Sequence, residues 1–382
     1  MMEEADYDLH DQYAHLIFHL CNIVPRLGPS PMIRSPTWKS FMTDDFSPLE
    51  YSWNWNTPGS RPTIRYSVEL ASEKAGTTTD PHNRQPTIEL CDELRHNLCK
   101  ADWKLFDIMR DAFYDSTMNA LTTTKETQDV SSASSLFLAF ELGEQVATKA
   151  YFMPVKADQH GISRLAVLTQ AIEQLRKCGY TCGGYEQLVQ YMGTEQGSSL
   201  EVVLVGIDCF ESEESRFKIY VRTPRTSFAS VCETMTFGST LDALPGKARD
   251  NLKDLWRLTL DLESDFSETD ELPNKHHQTS GVLYNFDIKL RGYSLRPKLY
   301  IPVKHYATSD ASAVHGLGTY LRSREQDEYF LNYLRALRST CTHRSLEEHS
   351  GYQTYIGTGV QKNGSLALCS YINGEVYHPN RF

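Results

Sequence analysis

Glu201-Val-Val-Leu-Val-Gly-Ile207 and Arg216-Phe-Lys-Ile-Tyr-Val221 are two short β-prone runs separated by an acidic turn. β-branched and aromatic residues fill both, and neither is long enough for a stable helix. Together they read as an antiparallel hairpin. The second run is the unusual one. A strand has period two, so Arg216, Lys218 and Tyr220 share one face, while Phe217, Ile219 and Val221 share the other. One face is built for an apolar core. The other carries charge.

Four further hairpins flank this one. Pro48-Leu-Glu-Tyr-Ser-Trp-Asn-Trp55 and Thr63-Ile-Arg-Tyr-Ser-Val-Glu69 enclose a Pro/Gly turn. Leu136-Phe-Leu-Ala-Phe-Glu-Leu142 and Val146-Ala-Thr-Lys-Ala-Tyr-Phe152 enclose Gly143-Glu-Gln145. Gly281–Lys289 pairs with Pro297–Ile301, and Tyr352–Gly357 pairs with Ser365–Tyr371 across a Lys-Asn-Gly turn. Helical periodicity fills the intervals at about 90–118, 162–177, 186–193, 226–260 and 309–339, and 71–86 and 262–280 read as polar loops. The unit helix-strand-strand-helix thus recurs about five times. Ten antiparallel strands leave two exposed edges unless they close. An α+β fold follows, with a ten-stranded antiparallel barrel ringed by helices. An open sheet covered on one face is the second choice.

Composition narrows the function. With 38 basic and 49 acidic residues the chain carries a net charge of −11, which argues against general nucleic-acid binding. Mean hydropathy is −0.45 and no run approaches the length of a membrane span. Five Trp, 21 Tyr and 16 Phe exclude disorder. The start, Met-Met-Glu-Glu-Ala-Asp, lacks the basic and apolar regions of a signal peptide, and Leu16–Val24 reads as an amphipathic helix. Nine scattered cysteines then suggest reduced thiols in the cytoplasm, and Cys178-Gly-Tyr-Thr-Cys182 has no second pair to complete a zinc site.

The charged strand face recurs. Lys149 and Tyr151 share a face, as do Lys298 and Tyr300, and Arg65 sits on the second strand of the first hairpin. Tyr355 joins from the fifth. If the apolar faces meet the helices, these residues point into the barrel. Such a lumen is costly unless an anion neutralises it. Arg and Lys suit phosphate oxygens, and tyrosine ring faces attract cations. Both together suit heterolysis of an allylic diphosphate. One Lys-x-Tyr is ordinarily a solvated strand face, and three in equivalent places are not readily so explained. Glu50 shares the lumen face with Ser52 and Asn54. It reads either as a hydrogen-bond acceptor and base or as a counter-ion to the cations.

Competing motifs are absent from the sequence. No Asp-Asp-x-x-Asp run offers magnesium to a diphosphate, and Asp44-Asp45 stands alone. There is no Walker loop and no His-Glu-x-x-His, and Gly-Leu-Gly at 316–318 lacks the third glycine of a dinucleotide fingerprint. The thirteen histidines show no metal-ligand spacing, and His276-His277 reads as part of a polar loop.

In these motifs the chain resembles the fungal dimethylallyltryptophan synthase family of aromatic prenyltransferases. The resemblance rests on Pro48-Leu-Glu50-Tyr-Ser-Trp, Ile64-Arg65-Tyr66, Lys149-Ala-Tyr-Phe-Met-Pro154, Arg216-Phe-Lys-Ile-Tyr220, Pro297 to Tyr306 and Tyr371 to Pro379, in order along nearly the whole chain. It implies one prenyltransferase domain over residues 1–382. Its barrel of α-β-β-α units would transfer a prenyl group, dimethylallyl first of all, to an aromatic acceptor in secondary metabolism. Arg65, Lys149, Arg216, Lys218 and Lys298 would then hold the diphosphate, and Tyr151, Tyr220, Tyr300 and Tyr355 would shield the allylic cation. Glu50 would bind the acceptor's N–H or O–H. The resemblance implies no cofactor: metal is not required, with Mg²⁺ or Ca²⁺ at most enhancing. The partners are small molecules, without nucleic acid or membrane, and the chain is a monomer or homodimer.

Two positions depart from the members that alkylate tryptophan at C4. Phe137 stands where those carry a lysine, and Met153 where they have a second tyrosine. Both weaken free L-tryptophan as acceptor. A tryptophan derivative, cyclic dipeptide, indole alkaloid, or phenolic or polyketide compound becomes comparably suited. Two other classes compete: a non-catalytic barrel binding an anionic lipid or small acid, and an enzyme that cyclises or hydrolyses an allylic diphosphate. A simple anion binder has no use for Glu50.

Overall fold

The computed structural model describes residues 1–30, 32–33, 38–97, 103–118, 134–209, 215–239, 244–245 and 247–382. Its ten strands are β1 (Leu49–Trp55), β2 (Thr63–Val68), β3 (Leu136–Leu142), β4 (Val146–Phe152), β5 (Glu201–Asp208), β6 (Arg216–Thr223), β7 (Val282–Lys289), β8 (Leu295–Ile301), β9 (Gln353–Val360) and β10 (Leu366–Asn373). Each pairs antiparallel with its neighbours in the sequence. β1 pairs with β10 from Glu50↔Asn373 to Trp55↔Leu368, which closes the barrel and excludes the open sheet. All five hairpins lie where the alternation places them. The acidic turn between β5 and β6 has residues 210–214 outside the described residues, as does Cys99.

Register sorts the side chains. Cross-strand partners share a face, so Ser52↔Arg65↔Glu141, Ala139↔Lys149↔Asp208 and Gly206↔Lys218↔Asp287 are rows of one lumen face. The opposite face carries Trp53, Phe140, Phe152, Phe217 and Phe286, all buried against the helical ring. Trp53 and Trp55 pack edge-on to Tyr333 of the helix Phe330–Thr340, and Phe152 meets Phe106 of the helix Trp103–Phe113. The core is therefore an annulus between barrel and helices, and the lumen is left for other use.

Sequence periodicity blurs helix boundaries. The stretch 90–118 holds two helices, Gln85–Asn97 and Trp103–Phe113, with 98–102 outside the described residues. The stretch 226–260 holds Phe228–Met235 and Ala248–Thr259, with 240–243 and 246 outside the described residues. Ser163, Ser227 and Ser309 each accept a hydrogen bond from the N–H three residues on, which fixes three of the helix starts. Gly316 explains the Gly-Leu-Gly motif: a Cβ there would lie 1.9 Å from the Leu258 carbonyl oxygen, so helices 248–259 and 310–323 touch through it. No disulfide joins the described cysteines, and no described helix is long and apolar enough to cross a membrane.

Candidate active site

A cavity of about 410 Å³ occupies one end of the barrel, where the odd strands begin and the even strands finish. Its wall includes Glu50, Phe137, Tyr151, Tyr220, Tyr300, Tyr355 and Tyr371. Three lysines lie two residues back from three of these tyrosines on the same face: Lys149, Lys218 and Lys298. Two residues of strand advance about 6–7 Å, so the cations form the next layer of the lumen beneath a tyrosine layer.

The cations are cross-braced by carboxylates. Glu141 lies 2.8 Å from Arg65 and 2.7 Å from Lys149. Asp208 bonds Lys218 and lies 3.6 Å from Arg216. Asp287 lies 3.1 Å from both Arg216 and Lys298. The structure therefore gathers Arg65 and Lys149 on Glu141, and Arg216, Lys218 and Lys298 on Asp208 and Asp287, two ion-paired clusters that adjoin where Lys149 stands opposite Asp208 on one lumen face. It also corrects the premise that this lumen holds cations alone. Five cations against three acids leave 5 − 3 = +2, which is still a site for an anion. Burial raises the Asp208 carboxyl, but Lys218 and Lys149 beside it hold it below the usual carboxylate range. Burial lowers the Lys218 ammonium to about 8, with Asp208 opposing and Lys149 and Arg216 assisting.

Nothing in the sequence alone marks these acids as partners of the cations. Each stands on the first strand of a hairpin whose second strand carries the cations, at a lumen position near the turn. A further residue was missed for its role. Tyr371 joins the aromatic belt on β10, where the fifth hairpin reads Cys369-Ser-Tyr371, the Lys-x-Tyr spacing with the cation replaced.

The belt is continuous. Phe137 stacks on Tyr151 at 4.5 Å and 3°. Tyr151 meets Tyr220 at 6.0 Å, Tyr220 meets Tyr300 at 5.8 Å, and Tyr300 meets Tyr355 and Tyr371 at 6.2 and 5.5 Å. Burial holds the hydroxyls of Tyr151, Tyr220, Tyr300 and Tyr371 well above the usual tyrosine range, so they stay neutral.

Glu50 lies in the same cavity, on the face opposite Trp53 and Trp55. It makes no ion pair with the cation network among the described residues. It accepts a hydrogen bond from Thr354 Oγ1 at 2.7 Å. Burial pushes its carboxyl up to about 7, with the Thr354 bond and the Lys304 charge opposing. Of the two readings of Glu50, this isolation favours acceptor and base over counter-ion. Phe137 and Met153 both line the cavity.

His277, in the polar loop before β7, stands with its ring 5.1 Å from that of His305, beside Asp44. The 28-residue separation of the two histidines hid this cluster from any spacing rule. It belongs to the cavity mouth and not to the cation network.

Comparison with known proteins accords with this geometry. Residues 1–336 match the family model described as tryptophan dimethylallyltransferase. The chain is 32% identical to 4-O-dimethylallyl-L-tyrosine synthase of Claviceps purpurea, over all of this chain and 86% of that one. It is 30% identical to xanthone prenyltransferase A of Emericella nidulans, over 97% and 88%. A crystal structure of AnaPT from Neosartorya fischeri superposes with a TM-score of 0.80 at 24% identity, covering 98% of this chain and 90% of that one. The NotF complex with brevianamide F and DMSPP superposes with a TM-score of 0.81 at 20% identity, over 98% and 90%. The chain belongs to the tryptophan dimethylallyltransferase family, and its fold and lumen are those of an aromatic prenyltransferase. The non-catalytic barrel is not favoured.

Proposed function

We propose that the chain transfers a dimethylallyl group from dimethylallyl diphosphate to an aromatic small molecule whose ring bears an N–H or O–H, without a metal. One observation carries the reading: a cation network of net charge +2, a tyrosine belt and an isolated carboxylate follow one another along a single lumen. Arg65, Lys149, Arg216, Lys218 and Lys298 take the diphosphate. The allylic C1–O bond breaks and its electron pair leaves with the diphosphate oxygen. The faces of Tyr151, Tyr220, Tyr300 and Tyr355, with Tyr371 beside them, hold the allylic cation and exclude water. A ring carbon or heteroatom of the acceptor attacks C1 or C3. Glu50 stabilises the positive charge that develops on the acceptor and finally takes its proton.

The named relatives act on tyrosine and a xanthone, and another, 28% identical over 99% of this chain and 83% of its own, is 7-dimethylallyltryptophan synthase of Aspergillus fumigatus. Phenol and indole share the conjugated O–H or N–H that a carboxylate reads. Phe137 and Met153 make the wall apolar where an amino-acid backbone would want polar partners. Arg222, next after Tyr220 on the same face, lines the cavity with no carboxylate in ion-pair range among the described residues. The acceptor panel therefore pairs each aromatic with its carboxylate-free counterpart, L-tyrosine with tyramine and L-tryptophan with tryptamine. The whole of 1–382 serves as one domain in the cytoplasm. Incubation with dimethylallyl diphosphate, the panel and a chelator should give an acceptor heavier by one isoprene unit. Dimethylallyl alcohol as the sole product across indoles and phenols would refute the transferase reading.

A further inference from the structure

Three segments that are far apart in the sequence meet at the cavity mouth: Asp44 before β1, the His277–Thr279 loop before β7, and His305 after β8. Their donor atoms converge. Thr279 Oγ1 lies 2.8 Å from His277 Nδ1, 2.8 Å from His305 Nε2 and 3.2 Å from Asp44 Oδ1. One donor atom from each of Asp44, His277 and His305 falls within 4.8 Å of the others. The hydroxyl supplies a single proton to three atoms that each carry a lone pair. A protonated His305 Nε2 can add a second. The Thr279 N–H donates to His277 Nδ1 at 3.1 Å and Lys304 Nζ donates to Asp44 Oδ1 at 2.8 Å, so the three lone pairs are held by donors that a cation would have to replace. Two imidazoles and a carboxylate drawn from three separate segments and converging on one point are the ligand set of a transition-metal ion.

We infer that Asp44, His277 and His305 form a site for a divalent transition metal at the mouth of the active cavity. Two imidazoles and a carboxylate suit Zn²⁺, Co²⁺ or Ni²⁺, whereas Mg²⁺ and Ca²⁺ prefer oxygen alone. Binding requires Thr279 Oγ1 to rotate away from the point it now occupies. Lys304 Nζ, 2.8 Å from Asp44 Oδ1, competes with the ion for that carboxylate and weakens its hold. The site is separate from the chemistry proposed above, since neither histidine lines the cavity. Gln278, Thr279 and Lys304 do line it. An ion here therefore ties the loop before β7 to the segments flanking β1 and β8 and narrows the entrance for the acceptor.

Cobalt(II) titration of the full chain at neutral pH tests this. One equivalent should bind with visible d–d bands and no thiolate-to-cobalt charge-transfer band, which separates the site from the exposed Cys21 and Cys178. His277→Ala and His305→Ala should each weaken binding at least tenfold while retaining metal-free prenyl transfer. In wild type alone, cobalt should raise the acceptor KM. Absence of binding, a thiolate spectrum, or wild-type affinity in both variants would overturn the site. Binding that leaves the acceptor KM unchanged would overturn the narrowing of the entrance. Loss of prenyl transfer in every metal-free form would count against the proposed function instead.

Discussion

Glu50 concentrates the chemistry in one side chain. A carboxyl pushed up to about 7 ionises within the working pH range. Its carboxylate is the form that accepts a proton, so kcat should fall on acidification, about tenfold per pH unit below 7. Glu50→Gln should lower kcat by about 10²-fold and abolish that acid limb, while affinity for the diphosphate changes little. A pH–rate profile of the pair checks both. The same shift costs stability. The folded chain holds this proton more tightly than the unfolded chain, whose pKa is near 4.5, so stability falls as pH rises from there through about 7. Glu50→Gln should therefore stabilise the protein by about 1–3 kcal/mol at pH 8 and by less at pH 5, measurable as a difference in Tm.

Gly206 makes a second single-residue case. A Cβ there would sit 2.8 Å from Tyr151 Cε1, and Phe137 stacks on the same ring. Gly206→Ala should displace the Tyr151 ring and admit water to the cation. The ratio of dimethylallyl alcohol to alkylated acceptor should rise severalfold, with diphosphate affinity preserved. An unchanged ratio would show that Tyr151 does not shield the cation.

Among the elements, β6 sets Arg216, Lys218 and Tyr220 on one face. Lys218→Ala should cost about 2–4 kcal/mol in kcat/KM, because it removes a charge-assisted bond from a low-dielectric site. It also leaves Asp208 buried without its lysine, so Tm should fall as well. Lys218→Ala/Asp208→Asn separates the two effects: Tm should recover and kcat/KM should not. Recovery of both would reduce Lys218 to a counter-ion for Asp208. The strands were legible because period-two alternation specifies register, and the Lys-x-Tyr copies mark which face turns inward. The helices were legible as regions only, since their termini depend on caps and packing that periodicity does not show.

For the whole molecule, closure of the barrel followed from ten paired strands with no tolerable edge. The contents of the lumen followed only halfway. Cations and tyrosines stand out because they break an apolar pattern, and all five cations do face one lumen, in two adjoining ion-paired clusters. Glu141, Asp208 and Asp287 stayed out of sight because a single acid near a strand end is unremarkable until the exact register of neighbouring strands sets it beside a cation. His277 and His305 were hidden for the same reason. Tyr371 was hidden because its hairpin has cysteine where the others have lysine. The central claim is that this network receives the diphosphate. Calorimetric titration with dimethylallyl S-thiolodiphosphate, in chelator, tests it most directly. Arg65→Ala, Lys149→Ala, Arg216→Ala, Lys218→Ala and Lys298→Ala should each weaken binding tenfold or more, and the exposed Lys362→Ala should not. Affinity unchanged in both Arg216→Ala and Lys218→Ala would contradict the account.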